Sequence, residues 1–292
     1  MIKYIDKIVL GTVQMGLDYG INNKNGKIPL DQSKGILYKA HESGIKFLDT
    51  AQVYGDAHEV IGEFHKSSPT TKFKINTKIP NNIDFNKIEF TIEKYLIDMR
   101  IDNIETLMFH SFDSYTKGSK ILNKLIKLKN KGIIKNIGVS VYKNIEIENL
   151  LLDNSIKTIQ LPFNVLDNLN LRGDLLRKLK FNKKNVQARS VFLQGLLFRA
   201  ISNKNNLLKK LNFELNFLSK LLLEYNCTME QLAISYCCYQ ENIDEIILGV
   251  DSLDHLDRNL QAINFNLPYE LFEKVNEIKI KNVDLLNPSM WS

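Results

Sequence analysis

The feature that most constrains this chain is a rhythm. A short β-branched run is followed by a longer amphipathic stretch, and the pair recurs along the sequence. The runs are Lys7–Val13, Lys46–Ala51, Phe73–Lys78, Ile104–His110, Ile134–Ser140, Thr158–Phe163, Asn185–Val191 and Glu245–Val250. Each is short and rich in Val, Ile, Phe or Thr, as a strand covered on both faces should be. Between them, Asp31–Ser43 places Ile36, Leu37 and Ala40 on one face, with Asp31 able to cap its first turn and Gly44 able to end it. Asn86–Met99 carries Ile88, Ile92, Leu96 and Met99 at helical spacing, and Ser119–Lys131 runs apolar on one side until Gly132. Thr228–Tyr239 opens Thr-Met-Glu-Gln, close to a capping box.

Strict alternation requires a parallel sheet, because a crossover helix returns each strand in the same direction. Eight such units close into a (β/α)₈ barrel, and no Pro- or Ser-rich linker divides them, so residues 1–292 are expected to form one domain. The competing α/β architecture is an open doubly wound sheet, which usually carries a Gly-rich phosphate loop after its first strand. Neither G-x-G-x-x-G nor G-x-x-x-x-G-K-[ST] occurs.

In a barrel, chemistry sits where the strands end. The second run ends at Asp49, with Tyr54 in its loop; the third ends at Lys78; the fourth ends at His110. Singly, each has an ordinary explanation: a capping Asp, a solvated Lys, a core His, a turn Tyr. Jointly they place four titratable groups on one rim. A phenol with a pKa near ~10 exchanges protons poorly at neutral pH. A nearby ammonium favours the phenolate, and Asp49 is the counter-charge that a buried Lys78 needs. His110 can orient a substrate oxygen. The set suits protonation of a carbonyl oxygen while something else attacks the carbon.

These residues also resemble a known family. Leu48-Asp49-Thr50-Ala51-x-x-Tyr54-Gly55, Thr77-Lys78 and Phe109-His110 are similar to the motifs of the aldo-keto reductases. So are the opening Leu10–Gly16, Gly138-Val139-Ser140 on the fifth run, and Ile247–Leu253 through Asn259-Leu260 on the eighth. The resemblance spans roughly residues 7–263. It implies an NAD(P)H-dependent reductase of aldehydes or ketones, some of them sugar-like. Tyr54 would be the general acid, Lys78 its pKa-lowering partner, Asp49 the support of Lys78, and His110 the substrate-orienting residue. Ser140 and Gln160 would hold the nicotinamide carboxamide. Arg189, followed by Ser190, stands where an aromatic ring often stacks on nicotinamide, and its planar guanidinium can stack too. Arg258 and Asn259 would sit near the adenine.

The chain departs from the family at Val141, where Asn is usual, and at Gly249, where many members have a basic residue facing an adenosine 2′-phosphate. His255 and Arg258 could supply that charge instead, against the acidic Asp251 and Asp254. Family precedent makes NADP the expected cofactor, with NAD not excluded. Two alternatives share the barrel: a nicotinamide-binding regulatory subunit, and an acid–base reaction such as epimerisation or dehydration.

Other signals point to the partners. With 44% hydrophobic and 25% charged residues and a net charge of +6, the chain is neither disordered nor a basic nucleic-acid tail. The Lys-rich stretches Lys124–Lys135 and Arg177–Lys184 read as solvated helix faces without the interleaved aromatics that nucleic acid would need. No run approaches a membrane span, and residues 1–7 lack the apolar core of a signal peptide. Three cysteines form no disulfide framework, with Cys237 and Cys238 read as core residues. A cytoplasmic monomer or weak homo-oligomer follows, acting on a small carbonyl compound. His58-Glu59-x-x-Gly62 lacks the second His of a zinc motif, so no metal is expected. Finally, the last helical stretch, Tyr269–Ile280, leads to an apolar tail carrying the only Trp. Trp291 could cover the substrate beside Tyr54 and His110, or the tail could pack on the barrel flank or at a subunit contact.

Overall fold

A computed structural model describes residues 3–21, 23, 25–198 and 209–291. All eight expected runs are strands: β1 (Ile8–Gly11), β2 (Phe47–Asp49), β3 (Lys74–Ile79), β4 (Ile104–Phe109), β5 (Ile134–Ser140), β6 (Thr158–Pro162), β7 (Asn185–Arg189) and β8 (Glu245–Gly249). They pair in sequence order, all parallel, and β1 closes on β8 through Ile8↔Ile246 to Gly11↔Gly249. The result is a (β/α)₈ barrel. Helices between the strands cover its outer face, so outward side chains such as Leu48, Ile75, Leu107 and Val186 are buried between strand and helix.

The helix boundaries follow the local chemistry. Helix Leu30–Glu42 starts one residue before the expected Asp31, with Pro29 at its cap position and Asp31 in its first turn. Pro needs no N–H there, and the carboxylate meets the helix dipole instead of capping. Gly44 takes φ +97°, the left-handed conformation that closes a helix cheaply without a Cβ. The stretch 86–99 is split, a 3₁₀ turn Phe85–Lys87 preceding helix Ile88–Met99. In helix Met229–Cys238 the capping box is complete: Thr228 Oγ1 accepts from Gln231 N (3.2 Å) and Gln231 Oε1 from Thr228 N (2.8 Å). Cys237 and Cys238 are buried. Lys184 corrects the solvated reading of its stretch: it is buried, and its ammonium donates to the carbonyls of Asp153 (2.5 Å) and Ile156 (2.7 Å). Among the described residues no helix is long and apolar enough to cross a membrane.

Candidate active site

Three adjacent strands deliver the four titratable groups to one end of the barrel. Asp49 ends β2, Lys78 is next to last in β3, and His110 directly follows β4. Alternation along each strand turns Asp49 and Lys78 into the barrel while Leu48 and Thr77 face its helices. The Lys78 ammonium donates to Asp49 Oδ2 at 2.6 Å and to the Thr50 carbonyl at 3.1 Å, and both charged side chains are almost fully buried. The second Asp49 oxygen accepts from Gln160 Nε2 at 2.8 Å. Thr77 is held from behind by His58, Nε2 to Oγ1 2.9 Å. His58 is thus a buried structural histidine.

Tyr54 is placed by backbone, not by side-chain packing. Its N–H donates to Ala51 O (3.0 Å), and its carbonyl accepts from Ala57 N (3.2 Å). That carbonyl lies where a Cβ on Gly16 would be, 1.7 Å away, and the Gly16 carbonyl lies 2.2 Å from a Cβ built on Gly55. Two glycines therefore let the turn after β2 and the short helix after β1 interpenetrate. The Tyr54 ring meets His110 edge-on, centroids 6.0 Å apart, and the Lys78 ammonium lies 5.3 Å from the Tyr54 centroid.

The electrostatics differ from the expected depression of the phenol. Burial pushes the Tyr54 hydroxyl above its ordinary range, the Asp49 carboxylate pushes it further, and Arg189 pulls the other way. The Tyr142 phenol adds to the upward push. Burial likewise lowers Lys78, against the raising effect of Asp49. Burial, then the charges of Lys78 and Arg189, push His110 down to about 4. At neutral pH the unliganded site thus holds a protonated phenol and a neutral imidazole, both capable of donating a hydrogen bond.

These groups open into a cavity of about 470 Å³. Its walls include Asp49, Tyr54, Lys78, His110, Ser140, Gln160, Arg189, Ser190, Gly249 and His255, ten of the thirteen residues the sequence singled out. Arg189 stacks on Tyr142, 4.0 Å from the ring centroid, and donates to Val141 O (3.0 Å) and Ser190 Oγ (3.3 Å). At Gly249 a Cβ would come within 3.1 Å of the Gln14 amide, so Gln14 occupies the space of a side chain there. His255 Nδ1 is 3.1 Å from the Asp251 carboxylate.

Three of the thirteen lie off the walls. Arg258 points outward, 58% exposed, with Nε 4.0 Å from Glu230. Asn259 is buried, and neither end of its amide finds a partner in the described structure. Trp291 donates its indole N–H to Leu285 O (3.0 Å) and packs, partly buried, against the core. Val283 and Leu286 of the tail line a second cavity with Arg172 and with Tyr142, which is also on the wall of the first.

Sequence reasoning missed Gln14, Tyr19, Tyr142 and Gln194. Tyr142 follows β5 by two residues, a position a rim-by-rim reading could have found. Tyr19 and Gln194 belong to separate loops that meet only in space, where Gln194 Nε2 donates to Tyr19 Oη (2.6 Å) and Gln194 O accepts from Ile21 N (3.3 Å). The loop after β7 holds Ser190, Leu193 and Gln194 at φ +59°, +48° and +54°. Such left-handed residues cost on the order of 1 kcal/mol each, so their surroundings must hold them there.

A sequence model described as the Aldo/keto reductase family matches residues 7–280. The chain belongs to the aldo/keto reductase family. Among curated relatives, the NADH-specific methylglyoxal reductase of Escherichia coli is 24% identical, covering 90% of this chain and 91% of that one. An uncharacterised oxidoreductase of Bacillus subtilis is 23% identical over 89% and 88% of the two chains. Among solved structures, an aldo-keto reductase from Bacillus halodurans in its holo form superposes with a TM-score of 0.78 at 19% identity, covering 94% and 93%.

The chain is thus an oxidoreductase that uses a nicotinamide cofactor. The residues of this aldo-keto reductase fit such a group. A buried polar group without a partner costs about 1–3 kcal/mol, and the Gln14 carbonyl, on the cavity wall, is in that state. Ser140 and Gln160 add polar groups at the reacting end, and among the described residues no protein donor reaches Gln160 Oε1.

Proposed function

We propose that this aldo-keto reductase reduces a small aldehyde or ketone to the alcohol, with Tyr54 as proton donor and NADH as the preferred cofactor. The observation that carries the reading is the convergence of a protonated, buried phenol and a neutral imidazole on one cavity, above a buried Lys78–Asp49 pair. When bound, the reduced nicotinamide supplies a hydride to the carbonyl carbon. His110 donates a hydrogen bond that orients the carbonyl oxygen toward the phenol. The Tyr54 hydroxyl passes its proton to that oxygen as negative charge develops there. The resulting phenolate is stabilised by Arg189, which already pulls the phenol downward, and regains its proton from solvent. Burial of the Lys78–Asp49 pair excludes water beneath the reacting centre and keeps the floor neutral.

Gln160 and Ser140 would hold the carboxamide, and Gln14 would offer its unpartnered carbonyl to the rest of the cofactor. The preference for NADH reverses the expectation from family precedent. Gly249 offers no charge, Arg258 points toward Glu230, and His255 is engaged by Asp251. A carboxylate repels a 2′-phosphate and accepts a hydrogen bond from a 2′-hydroxyl. The relative in Escherichia coli, named for NADH and methylglyoxal, supports a small substrate and the same cofactor. The test is oxidation of NADH and NADPH, separately, against methylglyoxal, other small aldehydes, ketones and sugars. Turnover with a small carbonyl and a higher kcat/KM for NADH is expected. No carbonyl-dependent oxidation of either cofactor would refute the reading.

A further inference from the structure

A chain of hydrogen bonds leaves the site and runs down the inside of the barrel. Asp49 Oδ2 is bound to Lys78, and Oδ1 accepts from Gln160 Nε2 at 2.8 Å. The same Gln160 nitrogen donates to Gln187 Oε1 at 3.0 Å. Gln187 Nε2 in turn donates to Glu245 Oε2 at 2.6 Å, and Asn185 Nδ2 approaches the other Glu245 oxygen at 3.5 Å. Gln160 and Gln187 are buried. Glu245 is the first residue of β8 and Gly249, on the cavity wall, is its last. At ~3.3 Å per residue the carboxylate's backbone lies roughly 13 Å below the rim.

We infer that Glu245 is a positioning residue for the reaction proposed above, acting on Asp49 through Gln187 and Gln160. The argument rests on the polarity of an amide, which donates from one end and accepts at the other. A carboxylate paired with an ammonium only accepts. Asp49 therefore requires the nitrogen end of Gln160, and the second N–H of that nitrogen requires an acceptor. Gln187 supplies it only while its own nitrogen is turned toward Glu245, which also only accepts. Two carboxylates, one at each end, thus admit a single orientation of both amides. That orientation leaves Gln160 Oε1 as the atom without a protein donor, on a residue that lines the cavity.

Removing the lower carboxylate removes this constraint. Gln187 Nε2 then has no carboxylate to hold it, Gln187 is free to leave Gln160, and the second N–H of Gln160 loses its acceptor. Gln160 is held by Asp49 alone, so the carbonyl it offers the cavity is no longer fixed in place. Hydrogen-bonded chains of this kind respond as units, so the effect at Asp49 should depend on Gln160 being present.

The full-length protein carrying Glu245→Leu, Glu245→Gln, Gln160→Leu and the pair Glu245→Leu/Gln160→Leu tests this. The readouts are kcat and KM for the carbonyl and the ¹⁵N resonances of the Gln160 side-chain amide, assigned by their absence in Gln160→Leu. Glu245→Leu should lower kcat about tenfold, the scale of one charge-assisted hydrogen bond, with KM changed less than about twofold. The Gln160 amide resonances should move. Glu245→Gln keeps an acceptor, so it should recover most of the rate and return the resonances toward wild type. In the Gln160→Leu background, Glu245→Leu should cost nothing further. If Glu245→Leu does not fold, Gln187→Met interrupts the same chain with an apolar residue of similar length and should give the same result. Unmoved resonances, or a rate loss that persists in full without Gln160, overturns the inference and leaves the reductase reading intact. A wild-type protein that reduces no carbonyl overturns that reading, while the resonances still decide whether Glu245 orients Gln160.

Discussion

Replacing Lys78 with Met tests the floor of the site most directly. The substitution keeps most of the stem and removes the charge. At 2.6 Å the attraction between Lys78 and Asp49 is about 6 kcal/mol at an effective dielectric constant of ~20. Part of that attraction is already spent on desolvating the ammonium, so the net cost is smaller. What remains in the variant is a buried carboxylate with one hydrogen bond, from Gln160. Breaking a buried pair on one side typically costs about 3–5 kcal/mol, and that is the expected loss at pH 7. Urea denaturation at pH 7 measures this. Lys78→Met/Asp49→Asn should recover part of the stability, since no buried charge is left. A single variant destabilised by less than about 1 kcal/mol, or a double variant no better than the single, would refute the account.

Tyr54→Phe should leave cofactor affinity nearly intact and lower kcat by ~10²-fold or more, read under saturating cofactor; an unchanged kcat removes Tyr54 from the donor role. His58 and His110 both sit near about 4 in the folded protein, well below 6.5. The unfolded chain therefore takes up protons first, and stability should fall as pH drops from 6.5 toward 4. A thermal unfolding series should show this decline, flattened in His110→Gln. Asp251→Asn removes the carboxylate beside His255 and should narrow the gap between the NADPH and NADH dissociation constants by roughly tenfold, measured by fluorescence quenching. A Gly16→Ala side chain would collide with the Tyr54 carbonyl 1.7 Å away, so it should either prevent folding or cost several degrees of Tm together with most of kcat.

The strands were legible because burial on both faces demands continuous apolar runs, which stand out against amphipathic helices. Asp49, Lys78 and His110 were legible because a barrel puts its strand ends on one rim. The field at Tyr54 was not. Spacing indicates that Lys78 comes near Tyr54, but not how deeply the phenol is buried or that the Asp49 carboxylate acts on it as well. Gln14 was invisible for a related reason: its amide takes the volume left by Gly249, across the closure of the barrel. Trp291 illustrates a third limit. Its composition signalled burial, and it is partly buried, but an apolar tail carries no mark of which face of a barrel it will cover. Lys184 looked like its solvated neighbours until two backbone carbonyls were found beneath it.

The meshing of Gly16 with the Tyr54–Gly55 turn bears on how this scaffold can be re-engineered. Each backbone fills the void the other's missing side chain leaves. Loop grafting usually treats the segments after successive strands as separate cassettes. Here the first and second cassettes are one part: a donor loop after β1 that brings any Cβ to position 16 displaces the phenol, however well the rest of it fits. A chimera should therefore carry both segments from the same parent. The loop after β7 travels with them, because Gln194 holds both Tyr19 Oη and Ile21 N of the first cassette.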